Sequence, residues 1–379
     1  MSLDARYPAI SDLRRKARAR LPHFVWEYLD SGTGTESTTL RNQSRFDAVR
    51  LLPSVLHGEV TPDLSTQFLG QTLSLPVGMA PLGMSGMIWP DAEKMLARAA
   101  AKAGIPYAIS TVATQKPEDM QGVIGEHAWF QLYPPRDTEI RRDMLERIRN
   151  AGFSTLILTV DVPVASRRER QTRSGLTTPP RITPRLLAQI ATRPAWALAM
   201  AGRGMPRMRF IDDYMPDTKG LPSNQHAGYL LRTAPDWGYL DWLRAHWQGP
   251  LIVKGVLDAQ AARKIEKTGA DAIWISNHAG RQFDGAPATI EALPGIRKAV
   301  GLPLILDGGV ESGLDILRAL ALGADLVMMG RAWHYAVAAL GPQGPAHLVS
   351  ILRSDLEANM GQLGLTRPAE AASRLVQPD

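Results

Sequence analysis

The feature that most constrains the fold is a regular alternation of short apolar segments with longer segments of helical periodicity. It runs over about residues 76–345. Segments that are apolar throughout are typical of strands in a parallel sheet that is covered on both faces. The predicted strands are Val77–Ala80, Tyr107–Ser110, Trp129–Tyr133, Leu156–Asp161, Leu251–Lys254, Ala272–Ile275, Pro303–Asp307 and Leu326–Met329.

Eight such strands, each followed by a helix, predict a (β/α)₈ TIM barrel. An open doubly wound sheet is disfavoured because no Gly-rich dinucleotide fingerprint follows the first strand. We expect a single domain over residues 1–379, with an N-terminal helical extension and an irregular insertion over about residues 163–232, after the fourth strand. Helices are predicted at 12–16, 22–29, 90–103, 117–124, 137–151, 237–247, 259–268, 290–299 and 313–322, and C-terminal helices from 332 to about 363.

Polar residues stand at the ends of several predicted strands. The active site of a barrel lies at the C-terminal ends of its strands. A lone Lys or Asp in a buried strand is costly unless it is paired, so several such residues at one end predict a polar ligand site. They are Ser110, Gln131, Tyr133, Thr159, Asp161, Lys254, Ser276, His278 and Asp307.

The stretch after the sixth strand places His278 three residues before Arg281. Gly280, Gly285 and Pro287 indicate that this stretch is a loop. Histidine titrates near neutral pH whereas arginine stays charged, so the two could combine a proton acceptor with an anion clamp. Taken alone, the stretch is equally compatible with a surface turn. Its neighbours at the other strand ends favour the functional interpretation.

The last two strands are followed by Gly308-Gly309 and Gly330-Arg331, each just before a predicted helix. Glycine lets the backbone approach a ligand closely, and a helix N-terminus favours an anion. Barrels often bind phosphate at these two loops. The sequence therefore predicts a phosphorylated cofactor with Arg331 as a bidentate partner.

Cysteine is absent, which excludes disulfides, a thiolate nucleophile and a Cys metal site, and we predict no metal. The first six residues lack the apolar core of a signal peptide, and no apolar run is long enough to span a bilayer. We therefore expect a cytoplasmic protein.

The net charge of +6 comes mainly from the insertion. No nucleic-acid reader motif accompanies it, so we predict no nucleic-acid partner. Arginines interleaved with Leu187, Trp196 and Leu198 suit peripheral contact with the cytoplasmic face of a membrane. A lid that packs on the barrel or on another subunit is equally consistent. The arginines are Arg167, Arg168, Arg170, Arg173, Arg181, Arg185, Arg193, Arg203, Arg207 and Arg209.

Taken together, the motifs resemble the FMN-dependent 2-hydroxy acid oxidase and dehydrogenase family, which includes glycolate oxidase, L-lactate dehydrogenase, flavocytochrome b2 and mandelate dehydrogenase. The resemblance extends from Tyr28 to about residue 363. The matching motifs are Gln131-Leu132-Tyr133, Leu158-Thr159-Val160-Asp161, Val253-Lys254-Gly255, Ser276-Asn277-His278 with Arg281, Asp307-Gly308-Gly309 and Gly330-Arg331.

The resemblance implies a role for each site residue. His278 would be the catalytic base and Asp161 its hydrogen-bond partner, while Arg168 and Arg281 would clamp the substrate carboxylate. Tyr28 and Tyr133 would hydrogen-bond the substrate, and Lys254 would lie near the N1/O2 edge of the flavin. The remaining implied FMN contacts are Met79, Ala80, Pro81, Leu82, Ser110, Gln131, Thr159, Ser276, Asp307, Gly308, Gly309, Gly330 and Arg331.

The implied reaction converts a lactate- or mandelate-like (S)-2-hydroxy acid into the 2-oxo acid, with FMN passing the electrons to a quinone. The alternatives are an oxidase that uses oxygen and releases hydrogen peroxide, and an FMN-dependent isomerase of the same barrel type. The set of His278, Arg281 and Arg168 suits a small carboxylate and so argues against the isomerase. An inactive binding barrel is disfavoured by the Asp161/His278 pair. The family usually forms homotetramers.

The chain departs from the family's pattern at four positions. Glu311 stands where an Arg is usual, and Ala279 replaces a common Gly. Val112 replaces the Trp of glycolate oxidase, which predicts a pocket open to larger side chains. Gly83 lies where many oxidases carry Ala, and members with Gly there tend to use an acceptor other than oxygen.

Overall fold

The computed structural model describes residues 2–176, 183–215 and 234–376. Its strands are β1 (Thr66–Phe68), β2 (Gln71–Leu73), β3 (Val77–Met79), β4 (Tyr107–Ser110), β5 (Ala128–Leu132), β6 (Thr155–Thr159), β7 (Leu251–Val256), β8 (Ala272–Ile275), β9 (Leu304–Leu306) and β10 (Leu326–Met329). Strands β3 to β10 pair in parallel and close into a barrel in which β10 meets β3. The predicted TIM barrel is confirmed, and the open sheet was the wrong alternative.

The barrel interior is filled by one or two apolar residues from nearly every strand. Alternate residues of a strand face the same side. Trp129, Ile157, Ile252, Trp274 and Ile305 therefore form a buried cluster inside the barrel. The antiparallel hairpin β1–β2 packs into the same cluster at the N-terminal end of the barrel.

Three strand-end polar residues lie two positions after an interior apolar residue of the same strand, so their side chains also point into the barrel. Gln131 follows Trp129, Thr159 follows Ile157, and Lys254 follows Ile252. The Lys254 ammonium lies 5.1 Å from the centre of the Trp274 ring, directly above the apolar layer. The spacing of residues along each strand thus places the polar side chains on the barrel axis, at its C-terminal end.

Helices cover the outside of the barrel. One prediction was wrong, because residues 117–124 form only a 3₁₀ turn, Glu118–Met120. The C-terminal helices predicted over 332–363 are two, and they are separated at Gly341 and Pro342. Gly341 has a φ of 61°, and proline has no N–H to continue a helix. The outer helices are Ser85–Ile88, Ala92–Ala103, Thr138–Asn150, Trp237–His246, Ala259–Glu266, Thr289–Arg297, Gly313–Ala321, Arg331–Leu340 and Gly344–Leu363.

The N-terminal extension has four helices, Leu3–Arg6, Ile10–Arg20, His23–Asp30 and Ser37–Ser44, of which the first and last were not predicted. Arg20 donates to the carbonyls of Ala338 and Ala339 near the end of helix Arg331–Leu340, at 2.9 and 2.6 Å. Trp26 stacks on Tyr335 with ring centres 5.7 Å apart. These contacts fix the helix that carries Tyr28.

The insertion is helical where the structure describes it, so the prediction of an irregular segment was wrong there. Its helices are Glu169–Arg173, Pro184–Ala191, Pro194–Met200 and Arg209–Asp212. Two of them begin at prolines, and Thr183 caps one by accepting from the Leu186 N–H. Residues 177–182 and 216–233, which include Arg181 and Arg232, lie outside the described residues.

Candidate active site

A cavity of about 610 Å³ opens at the C-terminal end of the barrel strands. That volume lies within the range of small-molecule sites. Most of the predicted site residues line it: Tyr28, Ala80, Pro81, Leu82, Ser110, Gln131, Tyr133, Thr159, Arg168, Lys254, His278, Arg281, Asp307, Gly308, Gly309, Gly330 and Arg331.

Three predicted site residues are not in this lining. The Met79 side chain packs in the core cluster between the barrel and its helices. Asp161 is hydrogen-bonded to His278. Ser276 is fully buried and accepts from the Lys254 ammonium at 2.7 Å and from the His278 N–H at 3.1 Å. Asp161 and Ser276 therefore touch the cavity lining through these two residues.

His278 and Asp161 form a half-buried pair. Nδ1 of His278 lies 3.2 and 3.3 Å from the two carboxylate oxygens of Asp161. Burial lowers the pKa of His278 although Asp161 acts in the opposite direction. Burial raises the pKa of Asp161, but His278 and then Lys254 bring it below its usual value. The ring is therefore neutral at pH 7, with Nδ1–H directed at the carboxylate and Nε2 left as the proton acceptor.

The backbone at this pair is strained. His278 and Ala279 have φ values of 54° and 53°, in the left-handed region that costs a residue with a Cβ about 1–2 kcal/mol. Ala279 is held in that conformation by Arg331 and Thr39, which donate to its carbonyl at 3.0 and 3.2 Å. Position 255, next to Asp161, requires glycine, because a Cβ there would lie 2.6 Å from the Cβ of Asp161.

Arg281 is half-buried and has no carboxylate partner among the described residues. Its guanidinium donates to the carbonyls of Ser31 at 2.7 Å and Tyr28 at 2.9 Å. Burial, followed by the charges of Arg168 and Arg331, lowers the pKa of Arg281 to about 9. A half-buried cation among other cations is stabilised by an anion, so this part of the cavity favours a carboxylate or a similar group.

Two tyrosines lie beside these arginines. The Tyr28 hydroxyl donates to the Gly83 carbonyl at 2.9 Å. Burial raises the pKa of Tyr28 and of Tyr133, and for Tyr133 the nearby Asp161 adds to that effect. Both hydroxyls therefore stay protonated at neutral pH. The Tyr133 hydroxyl can donate to a bound anion, and the Tyr28 hydroxyl can do so when it turns away from the Gly83 carbonyl.

The floor of the cavity holds buried polar atoms that lack partners. The Lys254 ammonium is 3.2 Å from Asp307 Oδ2, and Ser110 donates to Gln131 Oε1 at 2.8 Å. Gln131 Nε2, Thr159 Oγ1 and Asp307 Oδ1 have no hydrogen-bond partner in the part of the chain that the structure describes. Each such atom costs roughly 1–3 kcal/mol, so the floor is built for a ligand with several polar atoms.

The sequence did not reveal several residues that position this site. Asn42 and Asn277 exchange amide hydrogen bonds at 2.9 and 2.7 Å, which ties the extension to the His278 loop. Arg170 binds Glu27 at 2.6 Å and Glu36 at 2.9 Å, which fixes the segment that carries Arg168. Both sets join residues more than 130 positions apart in the sequence, so no local spacing could have indicated them.

Two absences hold for residues 2–176, 183–215 and 234–376. They contain no group of three or more His, Cys, Asp or Glu side chains arranged to hold a metal ion. None of their helices is both long and apolar enough to cross a membrane.

Comparison with known proteins gives a consistent result. Residues 17–378 match the model of the FMN-dependent dehydrogenase family. An L-lactate dehydrogenase of Stenotrophomonas maltophilia (strain R551-3) is 39% identical over 368 residues, covering 96% of both chains. One from Xanthomonas euvesicatoria pv. vesicatoria (strain 85-10) is 40% identical over 371 residues, covering 96% of this chain and 95% of the relative.

Solved structures show the same similarity. The monotopic membrane protein (S)-mandelate dehydrogenase has a TM-score of 0.92 and 32% identity, covering 98% of this chain and 100% of the other. A mandelate oxidase has a TM-score of 0.82 and 32% identity, covering 98% of each chain. The resemblance therefore holds over nearly the whole chain, in sequence and in fold.

Proposed function

Because the chain belongs to the FMN-dependent dehydrogenase family, we propose that it oxidises a lactate- or mandelate-like (S)-2-hydroxy acid and passes the electrons to a quinone. FMN-dependent oxidation of a 2-hydroxy acid is the reaction class of its relatives, and this chain is an enzyme of that class. The observation that carries the proposal is the neutral His278, paired with Asp161, in one cavity with the uncompensated cation of Arg281.

The residues at the cavity floor fit FMN. When bound, FMN supplies a two-electron acceptor for the substrate. The unpartnered atoms of Gln131 and Thr159, together with Lys254, would hold the polar edges of its ring system. Asp307 would bind the ribityl hydroxyls, and the loops at Gly308-Gly309 and Gly330-Arg331 the phosphate.

The substrate would be bound by its carboxylate and activated at its hydroxyl-bearing carbon. Arg281 and Arg168 would hold the carboxylate, for which a planar fork is suited. The hydroxyls of Tyr28 and Tyr133 would donate to the substrate oxygens. Nε2 of His278 would take the substrate proton, and Asp161 would stabilise the imidazolium that forms.

The residues near Gly83 bear on the electron acceptor. A Cβ at Gly83 would lie 2.6 Å from a methyl of Val112, so the two residues are packed closely at the cavity wall. Valine at 112 leaves more room than a tryptophan would, which supports a larger substrate side chain. Glycine at 83, as in the family members that tend to use an acceptor other than oxygen, supports such an acceptor here.

We expect the purified enzyme, given substrate, to reduce a quinone or a dye at least about ten times faster than it consumes oxygen, which corresponds to about 1.4 kcal/mol in barrier height. Oxygen uptake and quinone reduction are measured side by side at saturating substrate. Equal rates would establish the hydrogen-peroxide-forming oxidase instead.

The insertion has an inner and an outer face. Leu186 and Trp196 are buried, and the Trp196 indole donates to the Met87 carbonyl at 3.2 Å. Leu187 and Leu198 are 54% and 76% exposed. The inner face agrees with the lid interpretation. We propose that the outer face contacts a membrane, which is supported by the similarity of the chain to a monotopic membrane protein, (S)-mandelate dehydrogenase.

The double variant Leu187→Asp/Leu198→Asp is expected to bind anionic vesicles at least tenfold more weakly, since each leucine contributes about 1.5–3 kcal/mol of burial. Co-sedimentation with such vesicles measures the effect. Leu52→Asp, at a 61% exposed leucine outside the insertion, is the matched control and should bind normally. Unchanged binding of the double variant would remove the membrane proposal.

We also propose a homotetramer, as the family resemblance implies. Sedimentation velocity of the purified holoenzyme at several concentrations tests this, and a monomer throughout would contradict it.

A further inference from the structure

The cavity extends beyond its ring-binding floor to an end built from three separate parts of the chain. Arg14 comes from helix Ile10–Arg20, Gln43 from helix Ser37–Ser44, and Glu311 from the loop after β9. Gly309 and Arg331 line the same end. It is therefore the end to which the proposed function assigns the FMN phosphate.

The two glycine loops bring one cation, Arg331, and one carboxylate, Glu311, to this end of the cavity. Nη2 of Arg331 already donates to the Ala279 carbonyl at 3.0 Å, and its buried Nε has no partner among the described residues. Glu311 adds a carboxylate whose Oε1 accepts from Gln43 Nε2 at 2.6 Å. A carboxylate beside a phosphate is repulsive, so a further cation is required for tight binding.

Arg14 is a cation at this end of the cavity, and its guanidinium is held by Asp30. Its Nε and Nη2 donate to Asp30 Oδ1 at 3.0 and 2.8 Å, while its Nη1 has no hydrogen bond to any residue that the structure describes. Asp30 is itself fixed, because Tyr335 donates to it at 2.7 Å and Arg170 at 3.1 Å. The Arg14 guanidinium is therefore oriented with one donor nitrogen to spare.

Arg14 and Glu311 both line the cavity, and the charge of Glu311 affects the pKa of Arg14. Burial lowers the pKa of Arg14, but Tyr335, Asp30 and also Glu311 raise it above its usual value. The charge of Glu311 thus acts on Arg14 in the absence of any direct bond between them. An anion bound between the two would be attracted by the first and repelled by the second.

We propose that Arg14 binds the phosphate of FMN and that Glu311 weakens the same contact. This inference rests on the proposed function for the position of the phosphate. It makes the N-terminal extension a part of the cofactor site. It also assigns the compensating cation to a helix that lies about 300 residues away in sequence from the two glycine loops.

The test compares FMN with riboflavin, which has the same ring and ribityl chain but no phosphate. Binding to the apoprotein is followed by quenching of flavin fluorescence, with no substrate present. Arg14→Ala is expected to weaken FMN binding roughly 10- to 100-fold, the usual effect of losing one charge-assisted hydrogen bond, and riboflavin binding less than about twofold. Arg15→Ala, whose side chain on the same helix is 76% exposed, is the control and should leave both unchanged.

The exposed Glu311 gives an independent test that leaves the Asp30 cluster intact. Glu311→Gln should tighten FMN binding several-fold without affecting riboflavin, by removing about one unit of like charge. Glu311→Arg should restore FMN binding to the Arg14→Ala protein.

Two results would overturn the inference. One is an equal loss of FMN and riboflavin affinity in Arg14→Ala, which would show that Arg14 only supports the fold. The other is unchanged FMN affinity in both the Arg14 and the Glu311 variants. Failure of the proposed function would look different. The apoprotein and its variants would bind FMN as expected, yet no 2-hydroxy acid would reduce the FMN-loaded protein.

Discussion

The His278→Gln variant is expected to retain bound FMN and to be reduced by substrate about 10⁴-fold more slowly than the wild type. Glutamine keeps a polar side chain at this position but has no atom that accepts a proton near neutral pH. Asp161 loses its hydrogen bond to the imidazole but should keep its position, because its contact with Gly255 is unchanged. Anaerobic stopped-flow absorbance of the flavin measures the rate directly.

The control for this variant is His246→Gln, since His246 bonds to the Trp242 carbonyl and does not line the cavity. Its reduction rate should equal that of the wild type. A His278→Gln rate within tenfold of the wild type would mean that another group takes the substrate proton.

The pH dependence of the wild type follows from the same pair. Burial lowers the pKa of His278 below 6.5, against the effect of Asp161. The base form therefore predominates at neutral pH, and kcat/KM should fall only when acidification passes a pKa below 6.5. In Asp161→Asn the carboxylate that raises the pKa of His278 is absent. The fall of kcat/KM on acidification should therefore occur at a still lower pH, and the maximal rate should decrease.

The second large effect is expected at Arg281, where replacement by lysine should lower kcat/KM roughly 10²- to 10³-fold. The guanidinium bonds to the carbonyls of Tyr28 and Ser31 at once and still faces the cavity. An ammonium is a point charge and cannot make both contacts while holding a carboxylate. The variant therefore loses the substrate clamp and the support of Tyr28.

Oxalate separates binding from chemistry because it carries carboxylates and does not react. Its inhibition constant should rise by about the same factor in Arg281→Lys as kcat/KM falls. Arg297→Lys, at an arginine that pairs with Asp325 on the outside of the barrel, should leave both values unchanged. Unchanged oxalate affinity in Arg281→Lys would exclude Arg281 as the carboxylate clamp.

The barrel and the set of cavity residues follow from local rules that a sequence displays. Period-two alternation puts Gln131 above Trp129 and Lys254 above Ile252, and parallel strands bring those ends together. The association of His278 with Asp161, 117 residues apart, came from the family resemblance, whereas the strand-end rule only places both at the same end of the barrel.

The remaining features depend on contacts that no local pattern encodes. The left-handed backbone of Ala279 is imposed by Arg331 and Thr39 on other elements. Arg170 is fixed by Glu27, Asp30 and Glu36, and the helices of the insertion are stabilised by packing on the barrel as much as by their own caps. Propensity alone is a weak guide to such segments.

The most direct test of the account is an anaerobic titration of the FMN-loaded enzyme with the separate enantiomers of lactate and mandelate, followed by the visible absorbance of the flavin. The account predicts complete bleaching by the (S)-enantiomer of at least one acid and none by its (R)-enantiomer, because Arg281, Tyr133 and His278, which line one cavity, would fix the substrate at three points. Bleaching by neither enantiomer of either acid, or equal bleaching by both, would contradict it.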